Sequence, residues 1–228
     1  MNGRSATSVA LDSVVRKADS MAKKRTTNRR GEGSQLRDEI IEATREILDA
    51  SGDDAALSLR AVARKVGVAA TSVYLHFADQ DALLEAAMET TFARMMESVD
   101  AADAATRSPA DKLRARILAL AEWAQEHFGL FKVLHESTLH TRRDLAFMKK
   151  SGTGVAEAIQ RCIDAGVAPP GEAKTIALDL RAAVHGMLTV RLNQPYLEWP
   201  SLEDQLERFL TKLVGIPPKS RARRSTKS

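Results

Sequence analysis

Several features that constrain other proteins are missing from this chain of 228 residues. Cys162 is its only cysteine, so no intramolecular disulfide can form, which is usual in a reducing compartment. Residues 1–20 lack the continuous apolar segment of a signal peptide, and no stretch approaches the roughly 20 apolar residues that span a bilayer. We therefore expect a cytoplasmic protein with no membrane partner.

Aromatic residues make up only 4% of the chain, and alternating β-branched runs bounded by turns are missing. Alanine is abundant and apolar residues recur at helical spacing, which predicts an all-α fold of about nine helices. Caps and turn signals place the helices at 34–52 (with Ser34 as cap), 58–65, 69–76, 79–100, 109–127, 128–137, 144–165, 172–192 and 201–214.

Signatures of catalysis and metal binding are also missing. His135 and His140 are five residues apart, which does not place both on one helical face. The sequence has no Cys-x-x-Cys pair, no glycine-rich phosphate loop and no Gly-x-Ser-x-Gly motif. A lone cysteine within a predicted helix, such as Cys162, is usually a small buried residue. We predict neither an enzyme nor a metal or cofactor site.

Charge is distributed unevenly along the chain. The net charge of +4 combines 34 Lys/Arg with 30 Asp/Glu. Residues 1–34 hold eight bases and three acids, and residues 217–228 hold five bases and no acid, which leaves 21 bases and 27 acids in residues 35–216. Composition predicts that both basic ends are disordered. Such ends serve solubility or contact a polyanion, and composition alone does not separate the two.

The segment "LSLRAVARKVGVAATSVYLHF", residues 57–77, contains Arg60, Arg64 and Lys65 but no acid, although acids surround it. An acid on a surface that lies against DNA would be repelled by the phosphates. The absence of acids therefore favours DNA contact, although some of these bases could instead pair with acids of the preceding helix.

The same segment has the spacing of a helix-turn-helix. Ala63 is small enough to let the second helix approach the first, and Gly67 can adopt the positive φ that the turn requires. An ordinary helical hairpin has similar spacing, so the lack of acids is what favours DNA binding.

The stretch "LSLRAVARKVGVAATSVYLHFADQDALLEAAME" resembles the DNA-binding domain of TetR-type transcriptional regulators over about residues 36–88, most specifically in "VYLHF" and "DALL". The resemblance implies an all-helical homodimer that binds double-stranded DNA. It divides the chain into a basic arm (1–34), a DNA-binding domain (35–80), a ligand-binding and dimerisation domain (81–216) and a basic tail (217–228).

Helix geometry and the resemblance together assign DNA contacts. Side chains near the start of the second helix can reach base edges, and those near its end match positions that meet the DNA backbone. Packing is the alternative role for the two aromatic side chains among them. The predicted contacts are Lys23, Lys24, Arg25, Arg29, Arg30, Ser58, Arg60, Ala70, Thr71, Ser72, Tyr74, His76 and Gln80. Gln80 replaces the lysine that the family usually has there.

"RAAVHGMLTVRL" is similar to a helix with a His-Gly pair in one TetR C-terminal (WHG-like) subclass, although Arg181 stands where tryptophan is usual. The resemblance implies a small-molecule effector, which we expect to be mostly apolar, with Arg181, Arg191 or a histidine as polar anchor. The pocket candidates, which a packed core would equally use, are Trp123, His127, Phe128, Phe131, Leu134, His135, Phe147, Met148, Val155, Ile159, Val184, Met187 and Leu188.

The last two predicted helices are amphipathic and, by resemblance, pair with those of a second subunit. The predicted interface consists of Leu180, Ala183, Gly186, Arg191, Leu202, Leu206, Phe209, Leu210 and Leu213. The competing hypothesis packs both helices only against their own subunit.

The function predicted from these features is a repressor that a small apolar effector releases from a palindromic operator. The alternatives are an effector-independent DNA-binding regulator or activator, and a helical binding or enzymatic module whose helix-turn-helix is only structural. Sequence-specific DNA binding separates the first two from the third.

We predict that deleting residues 1–30 lowers DNA affinity and flattens its dependence on salt. Removing a single phosphate contact should reduce the slope of log K against log salt by about 0.9, because fewer counterions are released. Titrations at several salt concentrations measure this slope. An unchanged slope would show that the basic arm does not bind DNA.

Overall fold

The computed structural model describes residues 32–219, so the predicted arm contacts (Lys23, Lys24, Arg25, Arg29 and Arg30) and the last nine residues lie outside the described part. Within it the predicted all-α fold is confirmed, with no strand. The α-helices are α1 (Glu32–Ser51), α2 (Leu59–Val66), α3 (Ala70–Tyr74), α4 (Gln80–Ala104), α5 (Pro109–Glu126), α6 (Phe128–Glu136), α7 (Leu139–Arg142), α8 (Ala146–Asp164), α9 (Ala173–Asn193) and α10 (Leu202–Phe209).

The structure corrects several helix boundaries. Helix α1 begins at Glu32, so Ser34 lies inside it rather than at its cap. Helix α3 has only five residues, so His76 follows it in a turn. A 3₁₀ turn at Asp54–Ala56 and the single turn of α7 were not predicted. None of the helices within residues 32–219 has the length and apolar composition needed to cross a membrane.

Local side-chain chemistry fixes the ends of the helices next to the turn. The Ser58 hydroxyl accepts a hydrogen bond from the Ala61 N–H at 3.1 Å and caps α2. Gly67 ends α2 with φ of 79°, a conformation that favours glycine. Asp79 caps α4 by accepting from the Ala82 N–H at 2.6 Å. These caps define the turn that sets α3 across α2.

Helices α1–α3, the N-terminal unit, enclose a small apolar core that also packs against the start of α4. Its buried side chains include Ile40, Val62 and Val73. A buried guanidinium, that of Arg45, joins α1 to α4 by donating to the Thr91 hydroxyl at 2.9 Å. The N-terminal unit is therefore attached to α4 by both apolar and polar contacts.

Helices α4–α10 form the C-terminal unit, in which α5 packs along α4, and α8 packs on α5 and α9. Helix α10 closes this unit through Arg114 of α5, whose Nε is 3.0 Å from a Glu207 carboxylate oxygen. Burial of Leu206 and of Leu210 seats the same segment against the core.

The two units meet most closely where α6 begins. Gly129 lies against the backbone of α1, and a Cβ at this position would be 1.9 Å from the Asp49 carbonyl oxygen. The Asp49 carboxylate also accepts from the Leu130 N–H at 3.2 Å. Only glycine allows the two helices to approach this closely.

We predict that Gly129→Ala destabilises the protein by about 1–3 kcal/mol, because the new methyl group forces α6 away from α1. Chemical denaturation measures the free energy of unfolding. Gly171→Ala is the control, because this exposed glycine lies between α8 and α9 and a Cβ there would meet only the end of the Ile176 side chain, at 3.0 Å. The control should change the free energy of unfolding by less than about 0.5 kcal/mol. Equal stability of the two variants would contradict the close approach at Gly129.

Candidate DNA-binding surface and ligand cavity

Helix α3 presents part of its predicted contact set to solvent. Thr71 is exposed, and Tyr74 is 56% exposed, so neither is a core residue. Ser72 and Ala70 are half-buried, and Ala70 packs partly against the core. The phenol of Tyr74 is thus placed for an outside contact rather than for packing.

The bases of the helix-turn-helix differ in their partners. The ammonium of Lys65 forms an ion pair with Glu46 of α1 at 2.7 Å. Arg60 and Arg64 are exposed and form no ion pair within residues 32–219. Two of the three guanidinium or ammonium groups are therefore available to a phosphate backbone.

The surface next to α3 holds the remaining predicted contacts. Gln80 is exposed at the first position of α4, His76 is half-buried, and Ser58 is exposed while it caps α2. Leu75, which the sequence did not single out, is 85% exposed between Tyr74 and His76. Leu75 follows the last residue of α3, so the helical spacing of apolar residues did not predict that its side chain would be exposed.

An apolar cavity of about 410 Å³ lies within the C-terminal unit. This volume is within the range of small-molecule sites. The wall contains Phe92, Met95, Met96 and Val99 of α4, Arg116, Ile117 and Leu120 of α5, Phe131, Leu134 and His135 of α6, Met148, Thr153, Val155, Ala156 and Glu157 of α8, and Lys174, Ala177, Leu178, Leu180, Arg181, Val184, His185 and Leu188 of α9.

The structure brings seven of the thirteen pocket candidates to the cavity wall. These are Phe131, Leu134, His135, Met148, Val155, Val184 and Leu188. The other six, Trp123, His127, Phe128, Phe147, Ile159 and Met187, do not line it. Helical periodicity marked all thirteen as inward-facing but did not separate core positions from wall positions.

The six displaced candidates have other packing roles. Trp123 packs on the ring of His127 at 5.1 Å, and His127 Nδ1 is 3.4 Å from Asp49 at the junction with α1. The ring of Phe147 packs behind the wall against Phe92 at 5.7 Å. Phe128 packs at the edge of the core, whereas Ile159 and Met187 are buried in it. Arg191 is not an anchor either, because its Nη1 donates to the Pro200 carbonyl at 2.8 Å.

The wall residues of α4 and α5 were missed. Phe92 and Met95 lie in the predicted helix 79–100, where a core residue and a wall residue look the same in sequence. Arg116 is buried and forms ion pairs with Asp100 at 3.1 Å and with Asp103 at 3.8 Å. Its partners lie 13 and 16 positions earlier, which sequence spacing does not reveal.

Two imidazoles meet within the wall. The rings of His135 and His185 are 5.2 Å apart, and each packs on Phe131, at 4.7 and 5.1 Å respectively. Burial and the nearby charge of Arg181 lower the pKa of His135 to about 3, with smaller contributions from His185 and His140. Burial also lowers the pKa of His185, Arg181 acts in the same direction, and Glu136 opposes them. Both rings are therefore neutral at pH 7.

Ion pairs hold the segment after α6 against the start of α4. Arg142 pairs with Asp81 at 3.0 Å, and Arg143 pairs with Asp79 at 3.1 Å and with Glu85 at 2.7 Å. These contacts attach α7 and the residue after it to the cap and first turns of α4, directly after the helix-turn-helix.

The predicted dimer residues divide by burial. Leu180, Leu206 and Leu210 are buried within the subunit, so their side chains have almost no exposed area left for a second subunit. Ala183, Arg191, Leu202 and Phe209 are half-buried, whereas Gly186 and Leu213 are exposed. The most hydrophobic side of α9 faces its own core, and the sequence prediction drew mainly on that side.

The opposite side of α9 carries an exposed stripe, which we call the α9 stripe: Leu178, Ala182, Gly186 and Val190. Its members follow one another every four residues. Small residues in its middle leave the helix backbone open to close approach. This stripe is a better candidate interface than the set predicted from sequence.

Within the described residues, no three histidine, cysteine or carboxylate side chains cluster closely enough to bind a metal ion. Cys162 is buried, as predicted, and burial raises the pKa of its thiol.

We predict that stability falls as the pH is lowered from about 6.5 toward 3, in part because of His135. The unfolded chain takes up a proton in this range, whereas folded His135 does not until about pH 3. One such group lowers the free energy of unfolding by at most about 1.4 kcal/mol for each pH unit. Denaturation at several pH values measures the free energy of unfolding, which should decrease less between pH 6.5 and 3 for His135→Gln than for the wild type. His76→Gln is the control, and an equal effect of both substitutions would contradict the role of the buried imidazole.

Comparisons with known proteins agree with this geometry. Residues 40–87 match the family model of bacterial regulatory proteins of the tetR family. Residues 113–214 match that of the tetracyclin repressor-like C-terminal domain. No curated protein matches the chain significantly. The C-terminal match does not test the narrower His-Gly subclass, which stays a prediction.

Solved structures share the fold at low sequence identity. A protein of unknown function from Rhodococcus sp. RHA1 is 22% identical with a TM-score of 0.66, over 85% of this chain and 98% of that one. The fatty acid degradation regulator FadR from Bacillus halodurans is 13% identical with a TM-score of 0.67, over 82% and 97%. FadR from Bacillus subtilis, solved with stearoyl-CoA, is 17% identical with a TM-score of 0.65, over 77% and 96%.

The two family models match adjoining parts of the chain, in the order that the fold requires. One covers most of α1–α3 and the start of α4, and the other covers α5 to the end of α10. The chain therefore belongs to the TetR family of transcriptional regulators.

Proposed function

We propose that this regulator binds a near-palindromic operator as a homodimer and represses transcription until a small, mostly apolar effector enters its cavity. The observation that carries the proposal is the combination, in one chain, of an exposed acid-free helix-turn-helix and an apolar cavity joined through α6. Because such a protein must reach chromosomal DNA, we propose that it acts in the cytoplasm.

DNA recognition is supported by the exposed side chains of α3 and the unpaired bases beside it. Thr71 stands at the second residue of α3, where a side chain in the major groove can reach base edges. Arg60 and Arg64 supply positive charge for phosphates on the same surface. Tyr74 and Gln80 can donate hydrogen bonds to the backbone of the DNA.

Dimerisation is supported by the α9 stripe. Leu178 is 65% exposed and Val190 41% exposed, and with the exposed small residues Ala182 and Gly186 between them they form one continuous apolar stripe of the kind that marks a protein interface. Pairing of two such stripes would bury them around a two-fold axis. A two-fold dimer places its two recognition helices about one DNA turn, ~34 Å, apart.

Control by an effector is supported by the position of α6. Phe131, Leu134 and His135 on this helix line the cavity, while Gly129 at its start lies against α1. A ligand that changes the position of α6 would therefore also move the N-terminal unit. FadR from Bacillus subtilis, which has a similar fold, was solved with stearoyl-CoA, a ligand that carries a long apolar acyl chain.

Selection of binding sites from random DNA tests the proposal. The wild-type protein should enrich an inverted repeat, and Thr71→Ala should relax the preference at particular bases by about 1–3 kcal/mol. Ala182→Glu should give a folded monomer that enriches only half-sites, because a charge would enter the α9 stripe. Sedimentation measures the oligomeric state.

The control for the dimer is Ala101→Glu, which places the same charge at an exposed position of α4 outside the stripe. It should leave both the dimer and the inverted repeat intact. If the wild-type protein is a monomer, or if it enriches no sequence, the proposed function is wrong.

A further inference from the structure

We propose that the effector is an amphipathic acid, in which an apolar body carries one carboxylate head group, and that this head group binds between Arg181, His185 and His135. The inference rests on the proposed function and names the chemical class of ligand for the same cavity.

The three side chains form one polar end of an otherwise apolar wall. Arg181 and His185 are four residues apart on α9, so they project from the same side of that helix. His135 reaches the same place from α6, with its ring 5.2 Å from that of His185. All three line the cavity, and the ring of Phe131 contacts both imidazoles.

Within residues 32–219, none of these three side chains has a hydrogen-bond or ion-pair partner. Arg181 is exposed at the edge of the cavity, whereas the other arginine of the wall, Arg116, is buried and paired with Asp100 and Asp103. Polar groups inside an apolar cavity are normally satisfied by the protein, by water or by a ligand. A ligand that covered these three side chains without accepting hydrogen bonds from them would bind less tightly, because their donors would lose water and gain no partner.

Charge selects an anion over a neutral or cationic head group. Glu157 is the sole acid among the described wall residues, and Lys174 offsets its charge. Arg116 is held by two carboxylates, Asp100 and Asp103. Glu136 is near enough to raise the pKa of His185, but among residues 32–219 no carboxylate forms an ion pair with Arg181, so this guanidinium is the one in the wall that can pair with an anion. The two neutral imidazoles add N–H donors, so a carboxylate can accept from a guanidinium and from a ring at once.

The rest of the wall suits an apolar body of adaptable shape. Phe92, Met95 and Met96 line the side contributed by α4. Methionine side chains are flexible and adjust to different apolar ligands. The wall therefore fits either an alkyl chain or a fused ring system as the apolar body. The carboxylate head group is common to both kinds of ligand.

Calorimetric titration of the full chain without DNA tests the inference with matched probes. Decanoate is compared with decan-1-ol and decylamine, and 2-naphthoate with 2-naphthol and 2-naphthylmethylamine. In at least one of the two series, the acid should bind about tenfold or more tightly than its neutral and cationic counterparts, because only the carboxylate can form an ion pair with the Arg181 guanidinium.

Variants locate the head group. Arg181→Met should weaken acid binding about tenfold and leave binding of the alcohol within about twofold, whereas Arg181→Lys should retain part of the affinity. The matched control is Arg161→Met, which removes the same charge from an exposed position of α8 outside the cavity wall. The control should bind acids like the wild type.

Several outcomes overturn the inference. They are equal or tighter binding of an alcohol or amine in both series, absence of binding by both acids, and an equal loss in Arg161→Met. Binding of decanoyl-CoA without binding of decanoate also overturns it, because the acyl carboxylate is then replaced by a thioester to coenzyme A. Because the titration contains no DNA, its failure is distinct from that of the proposed function. An acid that binds at Arg181 but does not release the operator contradicts only the latter.

Discussion

Helix α6 has to pack against two partners at once, and its close approach to α1 is the constraint on which the arrangement of the protein depends. At its start, Gly129 allows the α6 backbone to lie directly on the carbonyl of Asp49. Two and six residues later, Phe131 and His135 form part of the cavity wall. Because a helix of nine residues carries both surfaces, it cannot move at one of them without moving at the other.

The ion pairs after α6 contribute to this arrangement in a different way. Arg142 and Arg143 are partly exposed, and exposed pairs contribute little to stability. They do fix the orientation of the α7 segment relative to α4, because the guanidinium of Arg143 pairs with both Asp79 and Glu85. The backbone contact at Gly129 thus sets the distance between the two units, and the ion pairs set the angle of α4 relative to α7.

The sequence predicted the helix-turn-helix well because the signals for it are local. The Ser58 cap, the glycine turn and the lack of acids all lie within 21 residues, and each has a direct structural counterpart. Helix α3 was predicted three residues too long, because its apolar spacing continues through Leu75 to Phe77 although the backbone turns after Tyr74. Periodicity reports which residues face inward but not where hydrogen bonding stops.

The cavity was predicted less completely because its wall is assembled over long range. His135 and His185 are 50 residues apart, and nothing in their spacing indicates that their rings meet. Met95 is as apolar as any core residue, so its place on the wall follows only from how α4 and α9 pack. The sequence of α9 has apolar residues on more than one side of the helix. The side that contains Leu180 is the more hydrophobic, and it is the side that is buried.

The polar end of the cavity lies at the place on α6 where a ligand would have most influence on the N-terminal unit. His135 is in the last turn of α6, two residues before Ser137, whose hydroxyl donates to the Asp54 carboxylate next to the turn that leads into α2. The start of the same helix is fixed to Asp49.

Helix α6 is thus fixed to the N-terminal unit at both ends, so a force applied at His135 moves it as a rigid body rather than bending it. Packed interfaces shift between discrete arrangements rather than deforming continuously. In a two-fold dimer, such a shift changes the separation of the recognition helices from about 34 Å, to which an operator of fixed half-site spacing cannot adapt. A head group bound beside His135 could in this way weaken DNA binding without contacting the DNA-binding surface.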